Sequence, residues 1–231
     1  DRRQRQMCIR DRDFELEKQN FRKYYDRNRT LFEEAKNAFI SAINTLIRQS
    51  DIGEVTKIEG RVKDKEECIK KFHRKYQNGL ESDEQPYEIK DYISDLIGIR
   101  VVCLYEDQIE KVSKILKNHF KIIDVTDKIT AVESTEDSFG YKGLHMDLEF
   151  SDETSPLPKS KAFSGQHFEV QIRSLIQDAW SVLDHKIKYK KSIPNDLKRR
   201  INVLSALFEL ADREFKEIRT ATMELIQQEG V

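Results

Sequence analysis

Gln166-His167-Phe168-Glu169-Val170-Gln171-Ile172-Arg173 alternates without interruption, with Phe168, Val170 and Ile172 on one side and Glu169, Gln171 and Arg173 on the other. Side chains of a strand repeat every two residues, so this spacing predicts a β-strand with one covered face and one polar face. Residues 143–150 read the same way: Leu144, Met146, Leu148 and Phe150 oppose His145, Asp147 and Glu149. Ile99-Arg100-Val101-Val102-Cys103-Leu104-Tyr105 is rich in β-branched residues and predicts a buried strand, and 55–63 and 120–125 add two more. Helical spacing lies between them at 64–76, 107–118 and 174–186. A short helix is expected over Tyr92–Leu96, stopped by Gly98, and a loop over the polar stretch holding Gly79 and Pro86.

Long helices close both ends. From Phe14 to about Arg48, Leu31, Ala35, Phe39, Ala42, Ile43, Leu46 and Ile47 recur at steps that place them on one face. After Pro194 the same holds for Leu197, Ile201, Leu204, Phe208, Ala211, Phe215 and Ile218. The expected fold is therefore α/β (α+β), a mixed sheet of about five strands flanked by helices, with long N- and C-terminal amphipathic helices.

A chain of 231 residues suits a single domain, and 41 basic against 42 acidic side chains remove any argument from whole-chain charge for a nucleic-acid coat or a polybasic anchor. No apolar run approaches the roughly 20 residues a bilayer requires. Cys8, Cys68 and Cys103 form no CxxC pair, which argues against a disulfide framework or a thiolate zinc site and for a reducing compartment. With no secretory signal pattern, the expected location is the cytoplasm. Gln6-Met7-Cys8-Ile9-Arg10-Asp11-Arg12 reads as a translated sequencing adapter, so residues 1–12 are set apart as non-native and 13–230 are taken as the one domain.

The polar faces carry the chemistry. Arg61 and Lys63 sit about 6.6 Å apart on an extended chain, two cations whose repulsion an anion between them would relieve. Asp95 lies before an apolar strand and Glu169 within one. Singly, each carboxylate is accounted for by pairing with a nearby arginine. Together, two carboxylates from neighbouring strands offer hard oxygen ligands for Mg²⁺, and Arg61, Lys63, Arg100 and Arg173 supply the cations for a magnesium nucleoside triphosphate. Gly140-Tyr141-Lys142-Gly143-Leu144-His145 adds a turn, a ring able to stack on a base, and a histidine on the polar face. There is no GxxxxGK[ST] and no HExxH, which excludes a P-loop NTPase and a zincin.

Arg61-Val62-Lys63, Asp95 to Arg100, Gly140 to His145, Glu169 to Arg173, and Trp180-Ser181-Val182-Leu183-Asp184-His185-Lys186 resemble, in order and spacing, the motifs of the RelA/SpoT (p)ppGpp synthetase domain. The resemblance spans about residues 15–220 and is greatest to the single-domain small alarmone synthetases. It implies a nucleotidyltransferase-like sheet and an ATP-dependent pyrophosphokinase of the stringent response, which transfers the β,γ-pyrophosphate of ATP to the 3′-hydroxyl of GDP or GTP. Asp95 and Glu169 would hold Mg²⁺, and Glu169 could also accept the hydroxyl proton. Arg61 and Arg100 would flank the adenine, with Lys63 on the ATP phosphates. Tyr141 would stack on the acceptor guanine, and Lys142, His145, Gln171 and Arg173 would line the acceptor side. A homo-oligomer, such as the tetramer of small synthetases, is implied as well.

Two local imbalances keep other acceptors open. Residues 124–138 hold Asp124, Asp127, Glu133, Glu136 and Asp137 against Lys128, where the family carries bases, and Gly143 stands where the family commonly has Ser. Conversely, 185–200 holds Lys186, Lys188, Lys190, Lys191, Lys198, Arg199 and Arg200 against Asp196. A toxic synthetase pyrophosphorylating the tRNA 3′ end is the alternative, with this basic patch on the tRNA backbone. A non-catalytic nucleotide or RNA binder is the third reading.

Overall fold

The computed structural model describes residues 2–127, 143–150, 163–188 and 194–229, with side chains beginning at Phe14. Helix α1 (Arg2–Arg48) leads into β1 (Val55–Val62), α2 (Lys65–Phe72), a π-helical turn over His73–Gln77, and α3 (Asn78–Ser82). A 3₁₀ turn over Ile89–Tyr92 precedes β2 (Ile97–Cys103), α4 (Asp107–His119), β3 (Lys121–Asp127) and β4 (Leu144–Glu149). Then follow β5 (His167–Ser174), α5 (Leu175–Lys188) and α6 (Asn195–Glu229).

Among the described residues the strands form one five-stranded sheet in the order β1-β2-β5-β4-β3, with β2 and β5 parallel and the other neighbours antiparallel. This is the expected mixed sheet. Its apolar face is covered by α1, where Phe39 stacks on Phe168 at 3.7 Å and on Phe150 at 4.3 Å between ring centroids. Each of these rings is fully buried, and each such burial stabilises the fold by roughly 1.5–3 kcal/mol. Asp64 caps α2 by accepting from the backbone N–H groups of Glu66 and Glu67, at 2.8 and 3.3 Å. Arg22 then ties α1 to α2 through a forked pair with Glu66.

Several elements depart from the sequence reading. Phe32, not Leu31, faces the core: Phe32 is buried while Leu31 is exposed, because Phe21, Tyr25, Phe32, Ala35 and Phe39 make the continuous stripe. Gly79 lies in a short helix, which its exposed, uncrowded position permits. The helix expected over Tyr92–Leu96 is instead a 3₁₀ turn ending at Tyr92. Gly98 lies inside β2, since β2 begins at Ile97 with its ladder to β1 already formed.

The largest difference concerns α6. Of its expected apolar stripe only Ile201 is buried, whereas Leu197, Leu204, Phe215 and Ile218 are exposed. The side turned to the rest of the chain is Ile201, Ser205, Phe208 and Asp212, continued by Lys216 paired with Glu106 and Arg219 paired with Asp107, each at 3.0 Å. The helix thus docks on the start of α4 through ion pairs, on the end of β5 through a buried hydrogen bond of 2.5 Å that Ser174 donates to Asp212, and on α5 through Trp180. No helix among the described residues is long and apolar enough to cross a membrane.

Candidate active site

Opposite the α1-covered face, the strand register lines up two polar rows. Arg61, Gly98, Glu169, Asp147 and Asp124 are successive partners across β1, β2, β5, β4 and β3. Glu59, Arg100, Gln171, His145 and Thr126 form the next row. Successive residues in a strand point to opposite faces, so positions two apart within each strand share the face. Gly98 sits between Arg61 and Glu169, and a Cβ there would meet only Arg61 Cγ, at 3.9 Å. The missing side chain leaves the middle of the row open.

That opening is a cavity of about 340 Å³ lined by Glu59, Gly60, Arg61, Asp95, Gly98, Ile99, Arg100, Glu169 and Gln171. Five of the residues singled out from sequence, Arg61, Asp95, Arg100, Glu169 and Gln171, therefore meet at one concavity. Lys63, His145 and Arg173 are not among the lining residues, but each is bonded to one of them. Lys63 Nζ donates to Asp95 Oδ2 at 2.7 Å. His145 Nδ1 lies 2.9 Å from Glu169 Oε1. Arg173 Nη2 donates to Gln171 Oε1 at 3.0 Å, and Gln171 Nε2 donates to Glu169 Oε2 at 3.1 Å. Tyr141 and Lys142 lie outside the described residues, as do Lys128, Glu133, Glu136, Asp137, Lys190 and Lys191.

Asp95 is held from two sides, because Lys71 of α2 also pairs with its Oδ1 at 2.9 Å. Burial pushes this carboxyl upward, but the bonds from Lys63 and Lys71 outweigh burial and hold it below the usual carboxylate range. It is an ionised carboxylate at neutral pH. For the neighbouring Asp147 burial prevails and holds the carboxyl above the usual range, with the Glu169 and Asp124 charges adding to the rise against a Ser94 hydrogen bond. Arg173, only 9% exposed, is pushed down to about 10 by burial and by Arg100, so it remains a cation at neutral pH.

Gly143, before β4, is required by close approach. A Cβ there would lie 2.4 Å from the Ile172 carbonyl oxygen and 2.5 Å from Arg173 Cγ. A serine at this position would collide with the strand that carries Glu169.

Sequence reasoning missed Lys71, Glu59 and Asp178. Lys71 carries no signal in a helix rich in lysines, and Glu59 reads as an ordinary exposed strand residue. Asp178 had a signal: an acid in the first turn of the helix that follows the Glu169 strand, two residues before Trp180.

Two carboxylates on one cavity, joined by arginines and lysines, form a donor set suited to a divalent cation that arrives with a polyphosphate. Mg²⁺ in such sites takes one or two carboxylates and completes its shell with phosphate oxygens and water. Among the described residues there is no cluster of three or more His, Cys, Asp or Glu that could hold a metal ion.

Comparison with known proteins gives the family. The region found in RelA/SpoT proteins matches residues 60–194. GTP pyrophosphokinase YwaC of Bacillus subtilis is 32% identical over 170 residues, covering 73% of this chain and 72% of that one. GTP pyrophosphokinase YjbM of the same organism is 26% identical over 190 residues, covering 80% and 82%. The crystal structure of small alarmone synthetase 1 from Bacillus subtilis bound to its product pppGpp superposes with a TM-score of 0.65 at 25% identity, over 89% of this chain and 99% of that one.

Proposed function

The chain belongs to the RelA/SpoT family, and from that premise we propose that it is an ATP-dependent pyrophosphokinase that makes (p)ppGpp from GDP or GTP. The observation that carries the proposal is the convergence of Asp95, Glu169, Arg61 and Arg100 on one cavity. In the reaction, the acceptor 3′-oxygen bonds to the β-phosphorus of ATP, and the bond from the α,β-bridging oxygen to that phosphorus breaks. AMP leaves with the bridging oxygen, and the hydroxyl proton passes to Glu169 Oε.

Arg61 and Arg100, on adjacent strands, flank the adenine with their guanidinium planes. Lys63 and Lys71 sit beside Asp95 and would meet the ATP phosphates. The His145 and Gln171 bonds fix the Glu169 carboxylate, so the proton acceptor is oriented before the substrate enters. Asp95 and Glu169 would hold the divalent cation, which we take to be Mg²⁺ and which neutralises polyphosphate charge. Most of the acceleration in such transfer comes from positioning and charge neutralisation, and this set of residues supplies both. Tyr141 and Lys142 are assigned to the acceptor base and phosphates, with His145, Gln171 and Arg173 on the same side.

Incubation with ATP labelled at its terminal phosphate, plus GDP or GTP, yields a labelled guanosine product if this reading is right, and none if it is wrong. One observation supports a different acceptor. Asp124 and Asp147 continue the Glu169 row as carboxylates, which repel a free polyphosphate acceptor, while Lys186, Lys198, Arg199 and Arg200 are exposed. Label appearing on deacylated tRNA and not on guanosine nucleotides would favour tRNA. The exposed Leu204, Phe215, Ile218 and Leu225 of α6 support a homo-oligomer, with a tetramer expected by light scattering. A cytoplasmic setting goes with this reading, and Cys68 and Cys103 are buried free thiols.

A further inference from the structure

Asp178 lies in the first turn of α5, directly after the strand that carries Glu169, and is 7% exposed. Its carboxylate gathers cations from three strands. Arg100 Nη1 of β2 is 3.1 Å from Oδ1, Arg173 Nη1 of β5 is 3.7 Å from the same oxygen, and Lys57 Nζ of β1 is 3.5 Å from Oδ2. Glu59, half exposed, also pairs with two of these cations, 3.5 Å from Arg100 and 3.1 Å from Lys57, and the Glu169 charge acts on Arg173. Asp178 is therefore the buried counter-charge of the cluster. A carboxylate in the first turn of a helix also gains from the helix dipole.

Its partners are not incidental. Arg100 lines the nucleotide cavity. Arg173 is anchored on α5 by donating to Ser181 Oγ at 2.5 Å, and its other arm begins the bonds through Gln171 to Glu169. The Nε atoms of Arg100 and Arg173 are buried without a hydrogen bond among the described residues, and Asp178 supplies the buried negative charge that the two guanidinium groups share. Without it, Arg100 and Arg173 face each other as like charges across neighbouring strands, and the more exposed of the two, Arg100, has the freedom to leave.

We propose that Asp178 is a positioning residue for the nucleotide site: it holds the Arg100 guanidinium at the cavity wall and, through Arg173 and Gln171, steadies Glu169. This rests on the reading of the cavity as the ATP site. The role differs from simple helix anchoring because it concerns one substrate more than the other.

The test uses the full chain with D178N, D178E and K57M. It measures the dissociation constant of a non-hydrolysable methylene analogue of ATP by calorimetry, kcat and KM for ATP and for GDP, and thermal unfolding. For D178N the analogue binds tenfold or more weakly and the KM for ATP rises alike, while the KM for GDP, reached only indirectly through Arg173 and Gln171, rises no more than about threefold. D178E keeps the charge one methylene away and binds the analogue about threefold more weakly. K57M, which removes only an outer partner, stays within twofold of wild type throughout. Analogue binding by D178N within twofold of wild type overturns the proposal, as does an equal loss for ATP and GDP, the mark of general loosening. If D178N does not fold, D178E decides: analogue binding unchanged from wild type overturns the proposal. The titration needs no turnover, so a wild-type protein that makes no guanosine product would sink the transfer reading while Asp178 is still decided by analogue affinity.

Discussion

Asp95→Asn tests how the cavity is held together before any substrate enters. Lys63 and Lys71 approach the two oxygens of Asp95 at 2.7 and 2.9 Å, and the three side chains are only 15%, 16% and 17% exposed, in the order Lys63, Lys71, Asp95. The charge-assisted Lys63 bond is worth about 1.5–3 kcal/mol and the Lys71 ion pair adds to it, both offset by the cost of burying the ions. Asparagine offers one oxygen and one NH₂ group, so one lysine keeps a weaker acceptor and the other faces a donor. The expected loss is about 2–4 kcal/mol, or about 5–15 °C in Tm for a chain of this size. Differential scanning calorimetry at pH 7 reads it directly. The pH dependence has a definite sign. The Asp95 carboxyl is held below its ordinary value, so its contribution is present above pH 3.8 and is lost as the pH falls through the depressed folded value. The gap between wild type and D95N is thus constant from pH 5 to 8 and closes in acid. A Tm within 2 °C of wild type at pH 7 would refute the reasoning.

Asp212 predicts the opposite trend. Burial first, and then the Glu106 charge, push its carboxyl from 3.8 up to about 7 against the pull of Lys216, so the stability it contributes is full below pH 3.8 and is lost as pH rises through 7. D212N, which cannot ionise, should therefore gain on wild type by about 2–3 kcal/mol between pH 5 and 8 in urea denaturation; a pH-independent difference would count against this. Gly143→Ala places a Cβ 2.4 Å from the Ile172 carbonyl oxygen and should cost about 1–3 kcal/mol. An unchanged Tm for G143A would show that β4 and β5 are not packed as described.

The sheet was legible because its strands alternate. Phe168, Val170 and Ile172 declare one face and Glu169 and Gln171 the other, and the register of β1, β2 and β5 brings Arg61, Arg100 and Glu169 to a common opening. Supporting contacts were not legible, because they depend on tertiary approach with no period in the sequence. Lys71 reaches Asp95 only because the Asp64-capped helix α2 returns along the sheet, and Asp178 meets three strands only because α5 turns back across β2 and β5. The α6 stripe failed for a related reason. A 3.6-residue repeat of apolar residues reports an apolar face but not what that face meets, and here the chain's own contacts use Ile201, Ser205, Asp212 and Lys216.

Glu169→Gln is the most direct test of the central claim, that one cavity holds ATP and carries the group receiving the acceptor's proton. Glutamine preserves the shape and a carbonyl oxygen, so the ATP analogue should bind within about threefold of wild type. Synthesis of labelled (p)ppGpp from ATP and GDP should fall by about 10²-fold or more, the usual worth of a positioned base. An E169Q protein that turns over at the wild-type rate would contradict the account.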